Sequence, residues 1–70
     1  MMSIHPEADR LIGKRVRIMD AHTTAELQWV NRLGTARNVA SLQPLRVAVE
    51  LEGSGMVWCD PSHLRVEESA

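Results

Sequence analysis

Cys59 and His63 stand with three residues between them, and with His5 and His22 they supply the thiol and imidazole donors from which tetrahedral zinc sites are built. No C-x-x-C pair accompanies them and the four lie in unrelated segments, so a small buried Cys59 and a polar corner His63 are the plainer assignment. Asp60, Ser62 and His63 contain the letters of a hydrolytic triad. A triad requires side chains that converge in space, however, and neighbours within one turn are first of all turn formers. Asp20 and His22 have the chemistry of a general acid and base, with no second constellation to complete an active site. These patterns assign no catalytic residue, no metal and no cofactor.

Arginines and tryptophans supply the chemistry of recognition. Seven of the eight basic residues (Arg10, Lys14, Arg15, Arg17, Arg32, Arg37 and Arg46) precede Val47, while Glu50, Glu52, Asp60, Glu67 and Glu68 follow it. If these segments pair as neighbouring strands, opposite charges face each other and stabilise the sheet mildly. The alternative is a basic face of Arg15, Arg17, Arg37 and Arg46 that neutralises nucleic-acid phosphates. Against it stand a net charge of −1 and only Trp29 and Trp58 as stacking surfaces. Protein recognition fits better, because interfaces favour Trp, Met and Arg, which points to Trp58, Met56, Trp29 and Arg46. A structural alternative for Trp58 is packing against Trp29 or Leu27.

These side chains must be positioned by strands. Leu45, Val47, Val49 and Leu51 alternate with Arg46, Ala48, Glu50 and Glu52, the period of a half-buried strand. Glu52-Gly53-Ser54-Gly55 then supplies two residues free to take positive φ at a tight reversal. Lys14 to Met19, Gly34 to Val39, Met56 to Asp60 and Leu64 to Val66 read as further strands, with a reversal at Ser41 to Pro44 and a corner at Asp60 to His63. His5-Pro6 disfavours helix at His5, while Pro6 can open a short turn through Asp9.

Asp20 to Leu33 admits competing readings. Thr23 and Glu26 have the spacing of a capping box, with Leu27, Val30 and Leu33 along one side of a short helix ended by Gly34. An irregular excursion would instead lay Trp29 and Val30 over one open end of the sheet. A third option is one helix from Thr24 to Leu42 stopped by Pro44, which Gly34, Thr35, Asn38 and Val39 oppose.

The series Gly13-x-x-Val16-x-Ile18, Arg32-Leu33-Gly34-Thr35-Ala36, Val47-x-Val49-x-Leu51-x-Gly53 and Trp58-x-x-Pro61-x-x-Leu64 resembles the Src-homology-3-like (SH3-like) small barrels. Bacterial stand-alone members and KOW-type domains share its glycine-led first and second strands. The resemblance covers roughly residues 11 to 66 and implies a fold, not an activity. The excursion after the first strand is longer than the KOW turn. With no Tyr or Phe, the usual aromatic groove for proline-rich peptides and the aromatic cage for methyl-lysine cannot be built.

Seventy residues suffice for one domain close to the lower size limit for folding without a disulfide or metal. A single cysteine leaves no internal disulfide, residues 1 to 12 lack the basic start and apolar stretch of a secretory signal, and no apolar run nears the roughly 20 residues of a membrane span. The expectation is a soluble cytoplasmic all-β protein. It comprises a flexible segment 1–10, a partly open five-stranded antiparallel SH3-like barrel over 11–66 and an acidic tail 67–70. The expected core is Val16, Ile18, Ala36, Val47, Val49, Leu51, Val57, Cys59, Leu64 and Val66. The expected role is a non-enzymatic module that binds another protein, with nucleic-acid binding through the arginines as the alternative. A third reading is a homo-oligomer that catalyses through a shared central pore, as the type II dihydrofolate reductases do, although the residues such a pore depends on are not evident. A homodimer that covers open sheet edges is a further expectation.

Overall fold

Alternating apolar and polar residues become strands in the structure, a computed structural model that describes residues 5–67. Helix α1 (Pro6–Asp9) precedes strand β1 (Arg15–Ile18), and a 3-10 helix (Ala25–Trp29) occupies the excursion. Strands β2 (Leu33–Leu42), β3 (Leu45–Leu51) and β4 (Gly55–Cys59) follow, then a second 3-10 helix (Pro61–His63) and strand β5 (Leu64–Val66). All neighbouring strands are antiparallel, in the order β4-β3-β2-β1-β5. No ladder joins β4 to β5, so the strand pairing establishes an open sheet with those two strands as edges.

A helix from Thr24 to Leu42 is ruled out, because Leu33–Leu42 is β2, the longest strand. Gly34 disfavours helix there, and the β-branched Thr35 and Val39 favour extended backbone. Register shifts between Ala36 and Asn38, and again between Val39 and Ser41, mark bulges in β2, which increase its local twist and bend. The Thr23–Glu26 box is half formed. Thr23 Oγ1 accepts the Glu26 amide at 3.3 Å, but the Glu26 carboxylate accepts from the His22 amide at 2.9 Å. Five residues of 3-10 helix result, and the chain leaves them through Asn31 at φ 72°.

The β3–β4 reversal has Gly53 and Gly55 at φ 79° and 82°, values that side chains with a Cβ resist. The β2–β3 reversal centres on Gln43 and Pro44, joined by a cis peptide bond.

Eight of the ten expected core residues are buried: Val16, Ile18, Ala36, Val47, Val49, Leu51, Val57 and Cys59. Leu64 and Val66 of the three-residue edge strand β5 pack against them half-buried. Ala8 of α1 and Leu11 complete the cluster, so the core reaches into the segment before β1. Positions 1–4 of the expected flexible segment and 68–70 of the expected tail lie outside the described residues. No helix among the described residues is long and apolar enough to cross a membrane.

Candidate functional site

The outer face of β4 carries Met56 and Trp58, because Val57 and Cys59 point inward. Met56 is 51% exposed and Trp58 57% exposed. In register, Met56 faces Glu50 and Trp58 faces Ala48, which is buried although it lies on the outer face of β3. The excursion leaves Trp58 open to solvent, and Leu27 is likewise exposed. Trp29, grouped with Trp58 in the sequence, instead packs half-buried against the core. Arg46 shares the outer face two residues before Ala48, and its guanidinium lies 3.7 Å from Asp60.

Each arginine of the expected basic face has a carboxylate partner. Arg15 pairs with Glu52, Arg17 with Glu67 at 2.7 Å, and Arg37 with Glu50 at 2.6 Å. Arg46 completes the set through Asp60. The acidic second half of the chain thus folds onto the basic first half: Arg37–Glu50 spans the β2–β3 ladder, and the other three arginines meet carboxylates just beyond the ends of β3, β4 and β5.

A second constellation forms where the excursion meets the corner after β4. Asp60 caps the 3-10 helix Pro61–His63, its Oδ1 accepting the Ser62 amide at 2.9 Å and the Ser62 hydroxyl at 2.7 Å. Both bonds fall on one oxygen. The other, Oδ2, lies 3.2 Å from His22 Nε2. Partial burial acts to raise the Asp60 carboxyl, but hydrogen bonds from Ser62 and His22 and the charge of His63 outweigh it and hold the group at about 2. The rings of His22 and His63 meet at 4.4 Å between centroids. Ligand atoms of His22, Asp60 and His63 all lie within 4.8 Å of one another.

Local hydrogen bonds set this geometry. The amide of His22 is held by Glu26, and the His63 carbonyl accepts the Met19 amide at 2.7 Å, tying the end of β1 to the start of β5. Of the four zinc donors considered in the sequence, the structure brings His22 and His63 together and adds Asp60. Cys59 points into the core, where burial, reinforced by the Glu26 charge and opposed by Arg46, pushes its thiol up to about 11. The Asp20 carboxylate accepts the Ala21 amide at 2.8 Å, and the carboxylate beside the His22 ring is that of Asp60.

Beside Asp60, an open groove of about 460 Å³ runs between α1 and the second 3-10 helix, with Glu7, Arg10, Arg46 and Asp60 among its walls. Comparison with known protein families, characterised proteins and solved structures finds no match to this chain.

Proposed function

We propose that this protein is a non-enzymatic small-barrel module that binds an extended segment of another protein along the β4 edge, with Trp58 and Met56 as its apolar anchors. The carrying observation is the coincidence of two properties on one strand: β4 ends the sheet, and its outer face exposes Trp58 and Met56. An unpaired edge offers backbone hydrogen bonds to an added strand, and a neighbouring tryptophan supplies the contact that most often dominates an interface. β4 spans five residues and β5 three, so β4 is the longer template.

The small-barrel part of the reading is supported by burial. Val16, Val47 and Val49 are 0% exposed although α1 has only four residues. A sheet with so little helix to cover it must curl over its own face to hide them. Nucleic-acid binding ranks second because Arg15, Arg17, Arg37 and Arg46 already face carboxylates that phosphates would have to displace.

The test compares immobilised wild-type protein with Trp58→Ala in extracts of the native host, followed by amide exchange on the purified complex. A partner held by wild type, weakened at least about 30-fold by Trp58→Ala and protecting β4 amides supports the proposal. Equal retention by a folded Trp58→Ala variant overturns it.

A further inference from the structure

We propose that His22, Asp60 and His63 form a binding site for a divalent transition-metal ion of the zinc type. Two imidazole nitrogens and one carboxylate oxygen are the ligands, and a fourth position stays open to water or an external donor. The donor set suits such an ion, since zinc takes neutral imidazole and carboxylate readily, and three protein ligands with one open position is its usual arrangement outside purely structural sites. The site requires the fold, because His22 lies 38 residues before Asp60.

The geometry needs little adjustment. Ligand atoms around a tetrahedral zinc sit about 3.4 Å apart, and the three groups here already lie within 4.8 Å of one another. His22 Nε2 and Asp60 Oδ2 are already 3.2 Å apart, so the remaining contraction is between His63 and that pair, and His22, whose side chain is 43% exposed, has room to follow. Asp60 is oriented in advance. Ser62 occupies Oδ1 with its amide and hydroxyl, leaving Oδ2 as the coordinating atom, as an outer partner of a metal-ligating carboxylate does. Binding replaces the His22–Asp60 hydrogen bond and draws Oδ2 away from Arg46, 3.7 Å off, so the site is of moderate affinity. By joining the excursion to the β4–β5 corner, a bound ion also stabilises the folded chain.

The test uses the tag-free full chain and zinc chloride alone, by calorimetric titration, thermal melting and imidazole NMR. One zinc per chain, a higher melting temperature, and shifts of the His22 and His63 ring signals without His5 are expected. His22→Ala, His63→Ala and Asp60→Asn should each weaken binding by more than about tenfold, Ser62→Ala by about tenfold, and His5→Ala should leave it unchanged. Far-UV circular dichroism establishes that each variant is folded, and if His63→Ala is not, the exposed His22→Ala and the wild-type ring shifts decide. No saturable uptake at micromolar zinc, or equal losses from His5→Ala and His22→Ala, overturns the assignment.

Discussion

A Cβ placed on Gly34 would lie 2.6 Å from the carbonyl oxygen of Glu50 and 2.7 Å from Val49 Cγ1. Strands β2 and β3 approach too closely there for any side chain, and the obstructing oxygen is backbone, which cannot swing aside. Gly34→Ala should therefore destabilise the protein by about 1–3 kcal/mol, the range of overpacked cores. Urea denaturation checks this. An unchanged midpoint would mean that β2 can move off β3 without cost.

Gly34 also shows how far the sequence could be read. Its place in Arg32-Leu33-Gly34-Thr35-Ala36 marks an extended segment, and the regular alternation of Val47, Val49 and Leu51 places that face in the core. Where bulges interrupt β2, the period fails, so the strand runs to Leu42 although the pattern supports it only to Val39. Ala8 and Leu11 escape notice because a four-residue helix has no periodicity to reveal its buried side. His22, Asp60 and His63 meet only through tertiary structure. The single local sign was the Thr23–Glu26 spacing, which fixes the turn holding His22 but says nothing of what its ring will meet.

Leu51 and Trp58 should separate stability from recognition. Leu51 is 2% exposed, and Leu51→Ala should cost about 2–5 kcal/mol, a large part of what a domain of this size has. Trp58 is 57% exposed, so Trp58→Ala should cost about 1 kcal/mol or less. Paired denaturation curves test the contrast, and a larger loss from Trp58→Ala would make that side chain structural.

Cys59 should be a quiet thiol. Raised by burial to about 11 from an ordinary 9.0, it carries about a hundredfold less thiolate near neutral pH than an ordinary cysteine, and the thiolate is the reactive form. A disulfide reagent should label the native protein slowly and the guanidinium-unfolded chain at the rate of a free cysteine. Equal rates in the two states would contradict its burial.

Acid should loosen the junction between β1 and β5 through Glu67. In that ladder Arg17 stands directly opposite Arg65, a like-charge pair that the Glu67 carboxylate bridges at 2.7 Å and 3.4 Å. The hydrogen bond from Arg17, with smaller contributions from the charges of Arg17 and Arg65, outweighs desolvation and holds Glu67 below its ordinary 4.5. A depressed folded-state value means that the ionised carboxylate contributes stability above the ordinary range, and that this contribution disappears as pH falls through the lower folded value. Glu67→Gln should accordingly lower the denaturation midpoint at pH 7, and its difference from wild type should shrink steadily on acidification. A difference that stays constant down to pH 2 would place the stabilisation in the packing of the side chain, with no part for its charge.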